Sequence, residues 1–248
     1  MSGHSKWATI KRKKGAADAA RGKLFAKLIR FIEVAAREGG GDPVSNPTLA
    51  TAIQKARDAS MPMDNIERAI KRATGDLAGV TYEEASYEGY APGGVALYVT
   101  VLTDNRNRAA ADVRNAFTKN GGSLGEPGSV AWKFEKTGVI NVPATGLDED
   151  AVLEAALDAG ADDVRADGDT FEISTQPSEW MKVRKALEDQ GLPIESAEVT
   201  MIPQQTTPVP EARAAQVLRL VEALEDLDDV QDVYADFDIP EEVLAKLA

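Results

Sequence analysis

Apolar residues recur at spacings of three and four from Leu24 through Phe25, Leu28, Ile29 and Ile32, which predicts an amphipathic helix from about Arg21. Lys23, Lys27, Arg30 and Arg37 fall on its opposite stripe. Gly39-Gly40-Gly41 stops this helix, and Asn46-Pro47 restarts the chain as a cap followed by a first-turn proline, with Leu49, Ile53 and Ala56 facing inward. Met61-Pro62 ends the second helix. Asp64 with Glu67 three residues later reads as a capping box for a third, whose apolar side is Ile66, Ala69, Ile70 and Ala73 and whose end is Gly75. Three short helices with small loops predict a bundle with its basic side chains turned away from the core. The first twenty residues are small, polar and basic with almost no apolar periodicity, and read as an arm.

After Gly79 the period changes from helical to alternating. Tyr82 to Tyr90 reads as a strand, Ala91-Pro92-Gly93-Gly94 as a turn, Val95 to Leu102 as a buried strand and Val130 to Phe134 as another. An amphipathic helix is expected from about Arg106 to Lys119, ended by Gly121-Gly122. A self-contained run follows: strand at Gly138 to Val142, helix at Asp148 to Ala159, strands near Val164 and Phe171, helix at Pro177 to Gln190, strand at Ile194 to Met201. That order, β-α-β-β-α-β, is a ferredoxin-like unit. Beyond the prolines at 203, 208 and 210 come a helix from about Glu211 to Leu227 and a strand from Val230 to Phe237. These two elements are too little to bury a core alone, and the segment before the insertion lacks one helix and one strand. The fold class expected is therefore α+β and multidomain: an N-terminal three-helix domain, then two ferredoxin-like α/β domains, one inserted into the other. The boundaries are residues 1–79 for the arm and bundle, 80–136 with 204–248 for a discontinuous middle domain, and 137–203 for the inserted domain.

Charge sharpens this division. Of the 248 residues, 1–75 hold 15 Lys/Arg against 7 Asp/Glu, an excess of eight positive charges, while 76–248 hold 13 against 34, an excess of 21 negative ones. Such segregation suggests an anion-seeking module on an acidic body. Gly75, Gly79 and the change of sign predict a hinge near residues 76–81. No run approaches the roughly 20 apolar residues of a membrane span, and the N-terminus lacks a signal-peptide core, so neither membrane nor export is expected. Zero cysteines remove disulfides and thiolate chemistry and fit a reducing compartment, so the cytoplasm is the expected location.

Enzyme chemistry finds little to stand on. The single histidine, His4, lies in the arm, and there is no nucleophile elbow, Gly-Lys-Ser/Thr phosphate loop or His-Glu metal motif. Glu88, Glu126 and the cluster Glu225, Asp226, Asp228, Asp229 read as solvated surface. Gly121, Gly122, Gly125 and Gly128 lack a partner lysine and read as a helix-to-strand loop. No catalytic residue, metal site, cofactor or small-molecule substrate is expected.

Residues 1–30 carry nine cations, Lys6, Lys11, Arg12, Lys13, Lys14, Arg21, Lys23, Lys27 and Arg30, against the single acid Asp18. That density suits neutralisation of a phosphate backbone. Trp7 among these charges either stacks on an unpaired base or packs on the bundle. Arg106 and Arg108, with Arg114, open the middle-domain helix as a second anion contact or as an ordinary cap with salt bridges to acidic surroundings; the second reading is the stronger.

In order and spacing, Gly3-His4-Ser5-Lys6-Trp7, the Lys23-Leu24-Phe25-Ala26-Lys27 helix, Asn46-Pro47, Met61-Pro62, Tyr87-Glu88-Gly89-Tyr90, Leu102 to Arg108 and Asp228-Asp229-Val230-Gln231 resemble the YebC/PmpR family, almost end to end. Met63 stands where that family often has lysine, and Ala109 where it often has a hydroxyl residue. The resemblance implies a helical domain plus two α/β domains and a DNA-binding transcriptional regulator acting at promoter regions. A mitochondrial relative activates translation and bacterial relatives are linked to ribosomes, so the alternative it implies is a translation factor on ribosomal RNA.

Overall fold

The structure is a computed structural model, and it describes residues 18–75 and 81–247. The expected arm and the expected hinge fall mostly outside those residues. By its backbone contacts the chain divides into two compact units: Lys133–Gln205, and the chain on either side of that segment.

The flanking unit begins with helices α1 (Asp18–Gly39), α2 (Pro47–Asp58) and α3 (Met63–Thr74). Leu28, Ile32, Leu49, Ile53, Ile66 and Ala69 close a core of their own between them. Asn46 is the hinge pin of this bundle: its Oδ1 accepts from Leu49 N at 3.0 Å, capping α2, while its Nδ2 donates to Ala35 O at 2.7 Å and Gly40 O at 2.8 Å. One buried side chain thus caps the start of one helix and ties it to carbonyls at the end of the one before. The expected capping box on α3 is absent. Pro62, held at φ −58°, takes the cap position with no side-chain bond, so the helix starts one residue before Asp64 and leaves that carboxylate in the first turn, where the helix dipole favours it.

Next come β1 (Glu83–Tyr90), β2 (Ala96–Thr103), α4 (Arg106–Lys119) and the two-residue β3 (Ser123–Leu124). The β1–β2 hairpin runs in register from Glu83 opposite Thr103 to Tyr90 opposite Ala96. Its loop needs Gly93 and Gly94, at φ +93° and +82°, where side chains are strained. Of the strand expected at Val130 to Phe134 only Phe134 is in one, as the first residue of the next sheet, and Ala131–Lys133 is a 3-10 turn. The backbone N–H groups of Gly128, Val130 and Ala131 donate instead to the Glu88 carboxylate at 2.7, 2.6 and 2.8 Å, and residues so engaged cannot join a ladder.

The second unit holds β4 (Phe134–Pro143), α5 (Glu149–Ala159), β5 (Asp163–Asp167), β6 (Thr170–Thr175), α6 (Trp180–Asp189) and β7 (Ser196–Pro203). Its antiparallel sheet has the order β5-β6-β4-β7, the ferredoxin-like arrangement. Ile140, Val142, Val152, Phe171, Trp180 and Leu187 lie in its core. β4 starts four residues earlier than the pattern of Gly138 to Val142 predicts, because Phe134 to Thr137 pair with Thr200 to Pro203 of β7.

The chain returns through β8 (Thr207–Pro208), α7 (Glu211–Glu225), β9 (Val230–Ala235), β10 (Phe237–Asp238) and α8 (Glu241–Leu247). β9 joins the first sheet, whose order is β3-β1-β2-β9. Place for place this matches β5-β6-β4-β7: both sheets are antiparallel, and a helix leads from the third position to the first in each. The chain order differs, since here the two central strands form the hairpin. Leu97, Val99, Val101, Phe117, Leu220 and Val233 share the resulting core, so both halves of the discontinuous chain supply it. α8 has no counterpart in the sequence reading; Val243 and Leu244 bury it on the same core.

Candidate nucleic-acid interface

The polar stripe of α1 is not turned to open solvent. Lys23 Nζ reaches Asp226 Oδ1 at 3.1 Å, and Lys27 Nζ donates to Glu225 O at 2.6 Å. Arg30 Nη1 donates to Asp228 O at 2.7 Å and Leu102 O at 3.3 Å, lies 3.5 Å from Asp229 Oδ1, and places its guanidinium 5.2 Å from the centre of the Tyr82 ring. These contacts meet the last turn of α7 and the loop into β9, where helix carbonyls lack intrahelical partners and the dipole is negative. Lys55 of α2 approaches Asp232 of β9 at 4.0 Å. Burial pushes the Lys27 ammonium below its ordinary pKa, against the opposing pull of Glu225, Asp232, Asp226 and Asp228.

Arg108 belongs to the same seam. Its guanidinium binds Asp229 Oδ2 at 2.8 Å and Asp104 Oδ1 at 2.6 Å, and Thr103 Oγ1 also donates to Asp229 Oδ2, at 2.9 Å. The Arg108 hydrogen bond is the main reason the Asp104 carboxyl lies below its ordinary range, and Asp229 is the main reason Arg108 is raised. Asn105 caps α4 by accepting from Arg108 N at 3.0 Å. Arg106 stays exposed, 3.8 Å from Glu83. Arg21 is exposed at the start of α1, and Arg68, Lys71 and Arg72 are exposed on α3. Lys6, Trp7, Lys11, Arg12, Lys13 and Lys14 lie outside the described residues.

Two acids differ from the sequence reading. Asp229 and Glu88 are buried, 9% and 6% exposed, rather than solvated. Burial alone raises the Glu88 pKa, but the three backbone bonds together outweigh it and hold the carboxyl below its ordinary value. Their partners are 40 or more residues away in sequence, so no local pattern marks them. The one signal available for the seam was the charge segregation itself, which makes the acidic body a partner for the basic helix. Among the described residues no group of three or more His, Cys, Asp or Glu is placed to hold a metal ion, and no helix is long and apolar enough to cross a membrane.

The sequence model of the TACO1/YebC N-terminal domain matches residues 5–76, and that of the TACO1/YebC second and third domain matches residues 82–237. The chain belongs to the TACO1/YebC family. Among relatives in this family is a protein of Rubrobacter xylanophilus named "Probable transcriptional regulatory protein", 61% identical and aligned over the whole of both chains. One of Beutenbergia cavernae with the same name is 59% identical over all of this chain and 99% of that one. A crystal structure of a conserved hypothetical protein from Aquifex aeolicus has the same fold, with a TM-score of 0.79, 51% identity, and coverage of 90% of this chain and 92% of that one. The helical bundle and both sheets described above are therefore TACO1/YebC architecture.

Proposed function

We propose that this TACO1/YebC protein is a cytoplasmic, non-enzymatic regulator of transcription that binds DNA at promoter regions through the phosphate backbone. The observation that carries this reading is the charge division, 15 Lys/Arg against 7 Asp/Glu in residues 1–75 and 13 against 34 beyond, in a chain whose relatives are named probable transcriptional regulatory proteins. Lys6, Lys11, Arg12, Lys13, Lys14 and Arg21 supply the first contacts, with Trp7 beside them, and Lys23, Lys27 and Arg30 add to them along α1. Arg106 offers an exposed second contact at the start of α4, whereas Arg108 serves the internal network.

A second reading, binding to ribosomal RNA as a translation factor, draws on a specific feature of the bundle. Groove reading uses Asn, Gln and Arg aimed at base edges. Here Gln54 Nε2 is tied to Asp58 Oδ1 at 2.9 Å and Asn65 Oδ1 to Arg68 Nη2 at 2.6 Å, each within its own helix. Backbone contact of this kind suits RNA as well as DNA. Crosslinking in cells, followed by sequencing of bound DNA and bound RNA, decides between them. Promoter enrichment is expected; enrichment in ribosomal RNA moves the function to translation, and enrichment in neither overturns nucleic-acid binding.

A further inference from the structure

The cations that a phosphate backbone requires on α1 are already occupied by the protein's own acidic segment. Lys23 is held by the Asp226 carboxylate at 3.1 Å, Lys27 by the Glu225 carbonyl at 2.6 Å, and Arg30 by the Asp228 carbonyl at 2.7 Å with the Asp229 carboxylate at 3.5 Å. A row of oxygen acceptors at the negative end of α7 offers a basic helix the chemistry that successive phosphates offer. The seam is also accessible. An open cleft of about 580 Å³ runs along it, with Lys23, Arg30, Tyr82, Arg108, Asp226 and Asp228 on its walls. The Lys23 and Asp226 side chains are 50% and 74% exposed, so salt and competing anions reach that pair.

We infer that the Glu225–Asp229 segment is an internal phosphate mimic that holds the α1 cations closed, and that a bound polyanion displaces it from Lys23 and Arg30 as α1 parts from the segment. This inference rests on the nucleic-acid reading above. Closure lowers the apparent affinity by the fraction of molecules that are closed, so weakening the latch tightens binding without adding a contact. The exposed Lys23–Asp226 pair yields first, and the half-buried Lys27 last.

The chain has no cysteine, so spin labels at Glu67→Cys on α3 and Asn115→Cys on α4 report the separation of the bundle from the first sheet. Pulsed dipolar distances are measured on the full chain alone, with a duplex DNA of about 30 base pairs, and with a ribosomal RNA fragment, beside affinities for Asp226→Asn. A shift to longer distances on binding is expected, together with an affinity gain of about two- to fivefold in Asp226→Asn, the range of an exposed ion pair. Glu126→Gln, an exposed acid away from the seam, controls for net charge and is expected to change affinity less. Binding with an unchanged distance distribution, or equal gains in Asp226→Asn and Glu126→Gln, overturns the latch and leaves the nucleic-acid function standing. Failure of both probes to bind overturns the function and the latch with it.

Discussion

Replacing Glu88 with glutamine removes one charge and reverses one hydrogen-bonding atom inside a buried cradle. In the native chain Oε1 accepts from Gly128 N at 2.7 Å, and Oε2 accepts from Val130 N at 2.6 Å and Ala131 N at 2.8 Å. Bonds to a charged acceptor contribute about 1.5–3 kcal/mol each, and neutral ones about 0.5–1.5 kcal/mol. Glutamine keeps the pair at Val130 and Ala131 as neutral bonds and turns an amide N–H toward the Gly128 N–H, leaving a donor unsatisfied. Relief of the buried charge offsets part of the loss, and the net destabilisation is about 2–4 kcal/mol. A chain of two compact units does not unfold as a single two-state system, so the assay is hydrogen exchange at the amides of residues 128, 130 and 131, beside a urea titration. Exchange at those three amides is expected to accelerate while the core of the Lys133–Gln205 unit is unaffected. The folded pKa of Glu88 is depressed, so its stabilisation is full above the ordinary glutamate value of the unfolded chain and is lost as pH falls through the lower folded value. Native and Glu88→Gln proteins should therefore converge in acid. Unchanged protection and an unchanged urea midpoint at neutral pH refute the reasoning.

Asn46→Ala removes an N-cap, a bond to α1 and a bond to the residue after it at once, for an expected loss of about 2–3 kcal/mol; exchange at the Leu49 amide checks it, and an unaltered rate contradicts it. Residues 133–205 expressed alone are expected to melt cooperatively, since β4 to β7 close a sheet over their own core. Residues 80–136 alone are not, since Val217, Leu220 and Val233 complete their core from the far side of the insertion; a cooperative melt of that fragment by circular dichroism opposes the split domain.

Where periodicity is long the sequence carries the fold plainly: the stripe from Phe25 to Ile32, the Asn46-Pro47 cap, and the helix from Arg106 to Lys119 stand where expected, while Leu24, at the head of that stripe, is exposed. Short elements leave no such trace. β3 is two residues that exist because Tyr90 and Gly89 pair with Ser123 and Leu124, and α8 is anchored by just two buried aliphatic residues, Val243 and Leu244. Charged residues are legible by sign and not by partner. Asp229 belongs to an acidic run, yet Thr103 and Arg108, more than 120 residues away, hold it inside. Lys27 sits on a basic stripe, yet its ligand is a carbonyl 198 residues away. The density of cations pointed to a polyanion, while the intramolecular seam that binds part of that stripe depended on long-range packing.

The most direct test of the nucleic-acid reading is a salt series of binding to duplex DNA and to ribosomal RNA fragments, with Lys11, Arg12, Lys13 and Lys14 intact and with all four changed to alanine. Each phosphate neutralised contributes about −0.9 to the slope of log affinity against log salt on duplex DNA and about −0.7 on single strands. Four or more contacts among these residues, Lys23, Lys27 and Arg30 give a slope of about −3 or steeper. The alanine variant is expected to bind every sequence more weakly by about the same factor, with a flatter slope, because phosphate contacts position the protein without reading bases. Unchanged affinity and slope in that variant contradict the account and move the binding surface elsewhere, first to Arg106 at the start of α4.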